Sequence, residues 1–315
     1  MPFTDKPQVF NAAINALSFG EAGREVTIGG SNVYPLYAFD APLANAPKVG
    51  VEVSDLGYEK AIPGLAAFYA GAETIPEQAA RAAAMPGAEF VCLKLDSADP
   101  NGDNASAEDC VATVKAVYEA IDKPLVVMGC KNVEKDTELL VKVAEAMQGK
   151  NILLMSAREE DYKTLGASAV LAYGQKLCGE SAVDINLAKQ LNVLMSQLGV
   201  PAASTVMNLG SAAAGYGFEY VASTMDRVKS AALTQNDAML QMPVITPVGS
   251  EAWTVKEALL EEADEPEWGA REERGIQMEI ITAAACLASG SDAVILRHPD
   301  SVKTISEMKI GRAHV

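Results

Sequence analysis

Eight short apolar runs separated by amphipathic stretches constrain the fold of this chain more than any other feature. The runs are nearly continuous in apolar residues, which is typical of parallel strands buried on both faces, since a strand with one wet face would alternate. They span residues 48–53, 90–95, 125–128, 152–155, 176–179, 205–207, 244–246 and 293–296. Eight such units predict an α/β fold, a TIM-type (β/α)8 barrel, which commonly fills roughly 250 residues as one domain.

Helix signals between these runs support the same fold. Thr74 with Glu77, and Ser106 with Asp109, place a side-chain acceptor and an acid where the first helical turn has unpaired N–H groups. Glycines are predicted to end helices at positions 149, 199 and 290. An apolar face at helical spacing is predicted to pack on the barrel wall through Leu139, Leu140, Val143 and Met147.

The segment before the first run differs from the rest, and we predict three parts: an N-terminal extension (1–47), the barrel (48–308) and a tail (309–315). In the extension, residues 25–28 and 33–39 flank Gly-Gly-Ser-Asn at 29–32, which predicts a β-hairpin that caps one end of the barrel. An acidic stretch at 261–268 interrupts the seventh unit and is predicted to lie on the surface, before a helix from Arg271 to Ser289.

The tail does not fit the last predicted helix, which begins near Asp300 and should continue further. Residues 310–315 are what ATC GGA AGA GCA CAC GTC would encode, part of a widely used short-read sequencing adapter. We therefore predict a non-native tail after a truncated helix; a natural polar tail is the alternative. Resequencing the locus from its native genome decides between them, and His314 is left out of the functional reasoning.

Composition excludes several classes of function. A formal net charge of -17, with no basic stripe, argues against nucleic acid as a partner. No apolar run approaches the roughly 20 residues that cross a bilayer, and no signal peptide is recognisable, so we predict a soluble, cytoplasmic protein that does not bind a membrane.

The residue inventory also limits the chemistry. The five cysteines are widely spaced without a C-x-x-C pair, whereas an iron–sulfur cluster needs about four organised thiolates, so we expect no such cluster in this chain. Outside the tail His298 is the only histidine, which argues against a histidine zinc site and a Ser/His/Asp triad. The Asp-x-His-x-x-Gly arrangement that offers a histidine to cobalt is absent too. No catalytic or metal-binding residue is therefore assigned.

Barrel sites form at the carboxyl ends of the strands, so chemistry is expected at one rim. The rim positions are Ser54, Asp55, Asp96, Asp99, Gly129, Cys130, Ser156, residues 208–217 and 247–250, Arg297 and His298. Residues 208–217 read Asn-Leu-Gly-Ser-Ala-Ala-Ala-Gly-Tyr-Gly, and such small side chains let backbone N–H groups approach a flat ring or its amide side chains. A flexible crossover loop is an equally good interpretation, and the spacing is not that of a dinucleotide fingerprint.

Two further pairs have a functional and a structural interpretation. Asp96 and Asp99 form paired carboxylates or bind a cofactor amide, but the composition of residues 96–103 favours a solvated turn. Arg297 and His298 end the last strand, where they contact an anion or cofactor edge, or simply stop the strand before the next helix. The sequence does not decide between the two interpretations of Arg297 and His298.

Several blocks, in order, resemble the small (delta) subunit of the corrinoid iron–sulfur protein of the acetyl-CoA decarbonylase/synthase (CO dehydrogenase/acetyl-CoA synthase) system. They include Gly-Val-Glu-Val-Ser-Asp at 50–55, Leu-Lys-Leu-Asp-Ser-Ala-Asp-Pro at 93–100 and Pro-Leu-Val-Val-Met-Gly-Cys at 124–130. Further blocks lie at 110–115, 133–136, 184–186, 189–192, 215–220, 251–253 and 296–299. The similarity runs from about Thr27 to His298.

The resemblance implies a β/α barrel paired with a larger subunit that carries the iron–sulfur cluster. A corrinoid (cobamide) would lie between the two chains. Such complexes accept a methyl group from a methyltetrahydrofolate-type donor through a methyltransferase and deliver it to acetyl-CoA synthase, in the anaerobic Wood–Ljungdahl pathway of carbon fixation. Cobalt performs the chemistry, so this subunit would bind and shield the corrinoid. The predicted corrinoid contacts are Asp96, Asp99, Asn208, Gly210, Ser211, Gly215, Tyr216, Gly217, Arg297 and His298.

One departure from the family pattern affects these contacts. After the sixth strand the family has Asp-Pro followed by Gly-Gly-Leu-Gly-Tyr-Gly, whereas this chain has Asn208, Leu209 and an alanine-rich run before Gly215. Two alternatives to a methyl carrier are kept: a stand-alone pterin-dependent methyltransferase on the same fold, and a purely structural subunit.

Overall fold

The computed structural model describes residues 6–37 and 40–312, with side chains as far as residue 308. Two short strands, β1 (Leu17–Phe19) and β2 (Val26–Ile28), precede eight parallel ones. These are β3 (Lys48–Ser54), β4 (Phe90–Lys94), β5 (Leu125–Met128), β6 (Leu153–Ala157), β7 (Lys176–Glu180), β8 (Thr205–Asn208), β9 (Ile245–Thr246) and β10 (Ala293–Leu296). Their spatial order is β8-β7-β6-β5-β4-β3-β10-β9, and a parallel bridge from Met207 to Val244 joins the two ends into a nearly closed barrel.

Helices follow the strands and cover the barrel. They are α1 (Pro63–Phe68), α2 (Ile75–Ala83), α3 (Ala107–Ala120), α4 (Val133–Ala146), α5 (Tyr162–Leu165), α6 (Ile185–Leu198), α7 (Phe218–Thr234), α8 (Gly249–Ala252), α9 (Lys256–Leu259), α10 (Arg271–Ser289) and α11 (Pro299–Arg312). A π-helical turn, Gly166–Ala172, continues α5. No helix among the described residues is long and apolar enough to cross a membrane.

The predicted fold is confirmed in most of its details. All eight apolar runs are strands, with bounds within two residues of those predicted. Thr74 and Glu77 form a reciprocal capping box on α2, and the Ser106 side chain accepts from the backbone N–H of Asp109. The predicted apolar face of α4 is buried, and α10 has the predicted bounds.

The N-terminal hairpin is paired differently from the prediction. β2 pairs antiparallel with β1, which precedes it, and not with residues 33–39. Residues 33–37 contain no strand, and 38 and 39 lie outside the described residues. Gly29 and Gly30 have left-handed backbone angles, so the chain turns away after β2 instead of folding back on it. The second strand of the predicted hairpin was therefore wrong.

The hairpin does lie at one end of the barrel, and its apolar side chains fill that end of the barrel interior. Leu17, Phe19 and Ile28 join the inward-facing apolar residues of the parallel strands in one buried cluster. Phe19 meets the ring of Phe90 edge-on with 5.5 Å between ring centroids. The N–H of Gly20 donates to the carbonyl of Asn151 at 2.7 Å, just before β6, so the hairpin sits at the amino ends of the strands. The opposite rim stays open.

The chain after β9 carries the acidic stretch, which is mostly exposed as predicted. Arg274 of α10 fastens it, because its guanidinium donates to the carbonyls of Glu257, Leu260 and Gly269. The backbone of α11 is helical through Arg312. The rest of the predicted tail, including His314, lies outside the described residues, so its non-native origin stays a prediction.

Candidate functional site

A buried ion pair forms the floor of the open rim. Along β3 the side chains of Val49, Val51 and Val53 face the helices, so Glu52 points into the barrel. Its carboxylate, 1% exposed, accepts from Nη2 of Arg297 at 2.6 Å and from Nε at 3.2 Å. The other oxygen accepts from the hydroxyl of Ser250 at 2.6 Å. The strand β3 and the loops after β9 and β10 are thus joined at one point.

The charges around Glu52 stabilise its ionised form. Burial alone would raise the pKa of this carboxyl, but the positive charges of Arg297 and Lys94 and the Ser250 hydrogen bond outweigh it and lower the pKa. Burial alone would lower the pKa values of Arg297 and Lys94. The negative charge of Glu52 opposes this, and both pKa values lie above their usual values. The pair is therefore held charged at neutral pH.

Asp96 belongs to this network, whereas Asp99 does not. Asp96 accepts from Nζ of Lys94 at 2.8 Å and from the hydroxyl of Ser54 at 2.7 Å. Asp99 instead accepts from the backbone N–H of Asn101 at 2.8 Å, which closes a local turn. The two carboxylates do not form a pair, and the solvated turn that the composition favoured describes Asp99 alone.

Asp96 and Arg297 line a cavity of about 220 Å³ between the ends of β3, β4 and β10, which we call the Arg297 cavity. Its walls include the stacked rings of Tyr58 and Tyr69, 5.0 Å apart, and the side chain of Gln78 from α2. Sequence reasoning assigned no role to Glu52 or Gln78. A signal did exist for Glu52, because it is the one charge within the apolar part of the strand, residues 49–53.

His298 lies beneath the rim and not on it. Its side chain is 2% exposed and stacks on Trp253 with 5.8 Å between ring centroids. Nδ1 accepts from the N–H of Asp300 at 3.2 Å, so Nε2 carries the proton that is donated to Glu272 at 3.1 Å. Both ring nitrogens are thus used within the fold, and the structure does not bring this imidazole to the other predicted contacts.

We expect His298→Ala to lower the free energy of unfolding by about 1–3 kcal/mol, because it removes a stacked ring and leaves Glu272 without one of its donors. Urea unfolding of the purified chain measures this. The same variant should keep the wild-type affinity for any ligand of the rim. Loss of ligand binding with unchanged unfolding would instead support the direct contact predicted from the sequence.

A second cavity, of about 210 Å³, opens over the other half of the rim, and we call it the loop cavity. The loop after β8 forms one wall through Asn208, Gly210 and Ser211. The Asn208 side chain accepts from the N–H of Gly210 at 3.1 Å, which fixes the start of the loop. The hydroxyl of Ser211 is buried without a hydrogen-bond partner in the described structure. A buried polar atom left in this way can be satisfied by an ordered water or by a ligand group.

Three glycines shape the loop from residue 208 to 217. Gly210, Gly215 and Gly217 all have left-handed φ angles, between +85° and +91°. A Cβ on Gly210 would lie 3.0 Å from the backbone nitrogen of Val183, while one on Gly215 would meet nothing within 4 Å. Between them Tyr216 is 45% exposed and donates to Glu257 at 2.5 Å. The loop presents an uncrowded backbone beside an exposed aromatic ring.

Charged side chains that sequence reasoning missed surround the loop cavity. Lys131 pairs with Glu251 at 2.9 Å, and Arg158 pairs with Glu180 at 3.4 Å. All four lie at or just beyond strand ends, the location that marks site residues on this fold. Asp136 also lines this cavity, so two basic side chains face three acidic ones, which disfavours an anion as the ligand.

Cys130, also predicted at the rim, is held by a buried carboxylate. Its N–H donates to Asp136 at 2.7 Å and its thiol lies 3.3 Å from the same oxygen. Burial raises the pKa of the Cys130 thiol to about 11 and that of the Asp136 carboxyl above its usual value. The thiol is therefore protonated at neutral pH and is a poor nucleophile. Among the described residues no His, Cys, Asp or Glu cluster has the arrangement of a metal site.

The predicted contacts thus separate into groups. Asp96 and Arg297 share one cavity, Asn208, Gly210 and Ser211 share the other, and Gly215, Tyr216 and Gly217 continue the loop beyond it. Asp99 and His298 join neither group. Eight of the ten predicted residues therefore lie at the rim, but only five of them line the two cavities.

Solved structures share the fold at low sequence identity. A dihydropteroate synthase bound to a product superposes with a TM-score of 0.59 at 11% identity, covering 94% of this chain and all of that one. The enzyme of Xanthomonas albilineans with 4-aminobenzoic acid gives 0.56 at 13% identity, covering 95% and 99%. These likenesses show a TIM barrel.

Curated relatives are more similar in sequence. Acetyl-CoA decarbonylase/synthase complex subunit delta 2 of Methanosarcina acetivorans is 33% identical over 298 residues, 92% of this chain and 66% of that protein. The delta subunit of Archaeoglobus fulgidus is 32% identical over 90% of this chain and 63% of its own length. This chain thus spans slightly under two thirds of these relatives. The family model described as CO dehydrogenase/acetyl-CoA synthase delta subunit matches residues 16–312, so the chain belongs to that family.

Proposed function

We propose that this chain is the small subunit of a heterodimeric corrinoid iron–sulfur methyl carrier, which helps to bind and shield a corrinoid at the interface with the large subunit. Family membership supports a place in the acetyl-CoA decarbonylase/synthase system. The observation that carries the corrinoid part is the unpaired Ser211 hydroxyl beside the glycine loop on an open rim.

The rim residues fit one face of a corrinoid. A corrin ring is broad and flat and carries amide side chains, so it needs uncrowded backbone and uncharged polar partners. Gly215 offers the first, and Ser211 offers a hydroxyl that can exchange a hydrogen bond with an amide. Cavities of about 210 and 220 Å³ cannot enclose such a ring. A second chain would have to cover its other face.

The corrinoid and this subunit have different parts in the proposed function. When bound, the corrinoid supplies the cobalt that carries a methyl group from a methyltetrahydrofolate-type donor towards acetyl-CoA synthase. The side chains of this subunit hold the ring edge and keep water from it. The Glu52–Arg297 pair keeps the floor of the rim in place beneath it.

Exposed apolar side chains next to the loop suit a partner surface. Tyr216 is 45% exposed, Tyr220 at the start of α7 is 67% exposed and Leu259 of α9 is 50% exposed. Tyr216 and α9 are linked through the Glu257 hydrogen bond. Exposed aromatic residues beside a binding rim are typical of interfaces, so we propose that the large subunit contacts them. A methyltransferase and acetyl-CoA synthase would then bind in turn.

The test is to co-express the chain with the large subunit of its own operon and to purify the pair anaerobically. We expect a stable pair that retains more corrinoid, by its cobalt absorption bands, than the large subunit alone. Tyr216→Ala and a Ser211→Val variant should each reduce retention severalfold. Leu171→Ala, which changes an equally exposed side chain on the outer wall, is the matched control and should not.

Other outcomes would support the alternatives. Turnover of methyltetrahydrofolate by the chain without a partner would identify a stand-alone methyltransferase. Corrinoid spectra of the pair that stay unchanged when the Asn208 and Tyr216 side chains are removed would leave a purely structural subunit. Failure of the two chains to associate would contradict the proposal itself.

A further inference from the structure

The Arg297 cavity contains a hydrogen-bonding mismatch that the proposed function does not use. Gln78 lines the cavity and is 5% exposed. Its Nε2 donates to the carbonyl of Ala72 at 3.3 Å, which fixes the orientation of the amide. Oε1 is left buried with no partner among the described residues. A buried acceptor without a partner is destabilising, so a ligand N–H that hydrogen-bonds to it recovers the lost interaction.

The second polar edge of the cavity is a donor. Arg297 uses Nε and Nη2 on Glu52, while Nη1 forms no hydrogen bond with any described residue. Glu52 neutralises its charge, and the other two carboxylates that line the cavity, Asp96 and Glu59, pair with Lys94 and Arg271. The cavity therefore offers N–H groups without a net positive charge, which favours a carbonyl oxygen over an anion.

The shape of the cavity fits a flat group. The stacked rings of Tyr58 and Tyr69 form one wall, 20° from parallel. Gly57, with a φ of +85°, lies at the mouth, and its missing Cβ would stand 3.5 Å from Oε1 of Gln78. A side chain there would be strained and would cover the Gln78 amide. With glycine at this position, no side chain of residue 57 stands between the cavity mouth and the Gln78 amide.

From these three observations we infer that the Arg297 cavity binds a planar, uncharged carboxamide group, cyclic or primary. Its N–H donates to Oε1 of Gln78, its carbonyl accepts from Nη1 of Arg297, and its face lies along the Tyr58–Tyr69 wall. Such a group could belong to a free heterocycle or to an amide arm of a corrinoid. The second source rests on the proposed function, whereas the first does not.

The test compares two probes that differ in one N–H. Binding of 4(3H)-quinazolinone and of its N3-methyl derivative to the full chain is measured by saturation-transfer NMR. We expect quinazolinone to bind about tenfold more tightly, the value of one hydrogen bond to a buried acceptor. Failure of both probes to bind, or equal affinities, would overturn the inference. This comparison needs no variant and no corrinoid.

Single-residue variants test whether the probes bind in the Arg297 cavity. Gln78→Leu should reduce quinazolinone affinity about tenfold and abolish the preference over the N-methyl probe. Gln190→Leu, the same change at an exposed glutamine of α6, should not alter either affinity. Tyr58→Leu removes part of the flat wall and should weaken both probes, which covers the case in which Gln78→Leu does not fold. Unchanged binding in a folded Gln78→Leu chain would contradict the assignment.

The complex with the large subunit distinguishes the two sources. If quinazolinone binds the corrinoid-free pair but is displaced when the pair is loaded with cobinamide, the amide arm of the corrinoid occupies the cavity. If both bind together, the occupant is a separate heterocycle. Failure of corrinoid retention would remove the proposed function and the corrinoid amide arm as a source, but not the free heterocycle, because the probes are tested on the chain alone.

Discussion

Replacing Arg297 with leucine is expected to lower the free energy of unfolding by about 3 kcal/mol at pH 8 and by much less near pH 4.5. The variant leaves the Glu52 carboxylate, 1% exposed, without its main counter-charge. Lys94 and Ser250 still contact or face it, so the loss should fall at the lower end of what breaking a buried pair usually costs.

The pH dependence follows from the Glu52 carboxyl. With Arg297 present its pKa lies below the ordinary value of 4.5, so the pair contributes stability above that pH and loses it as the pH falls. Without Arg297, burial should dominate and raise the pKa above 4.5. The buried charge then destabilises the variant at higher pH, and protonation relieves it on acidification. The difference between the two proteins must therefore shrink as the pH falls from 8 to about 4.5.

Urea unfolding at the two pH values measures this effect. A double variant, Glu52→Gln with Arg297→Leu, removes both charges and should be more stable at pH 8 than Arg297→Leu alone. Lys142→Met, which breaks exposed ion pairs on the outer helices, is the control for a general charge effect and should cause little change. A loss that is equal at both pH values would show that Glu52 is not the group responsible.

The sequence predicted the barrel because its signal is local and repeated. Each parallel strand is apolar on both faces, so the runs at β5 and β10 could be located to the residue. β1 was missed because it has only three residues, too few to show a strand pattern. Its two buried side chains, Leu17 and Phe19, pack against strands that lie far away in the sequence. The glycine pair after β2 suggested a turn, but it could not show whether the segment before β2 or the one after it pairs with β2.

The sequence predicted the position of the rim better than it predicted which side chains point into it. Strand ends placed Asp96, Asn208 and Arg297 at the same edge, as the fold requires. Whether a side chain points into the rim or under it depends on neighbours far away in the chain, as with His298 beneath Trp253 and Glu272. Gln78 could not be identified at all, because its unpaired oxygen is a property of packing and not of any motif.

Replacing Phe19 with alanine is expected to lower the free energy of unfolding by about 3–5 kcal/mol, the usual cost of removing a buried phenylalanine ring. Phe19 is fully buried and lies against Phe90 at the base of the barrel. Gly50 shows how tightly this region is filled, since a Cβ there would lie 2.1 Å from the Phe90 ring. Neighbouring side chains should therefore have little freedom to collapse into the space that the substitution leaves.

Urea unfolding of the purified chain gives the size of the effect, with Val9→Ala as the control because Val9 is 77% exposed. A loss below about 1 kcal/mol for Phe19→Ala would show that the hairpin does not act as a plug. The variant should retain corrinoid in the complex like the wild type, because the hairpin closes the amino ends of the strands and the proposed site lies at the carboxyl ends. Loss of corrinoid from a folded variant would mean that packing along the barrel interior holds the rim in its binding geometry, which would make the hairpin a positioning element of the site.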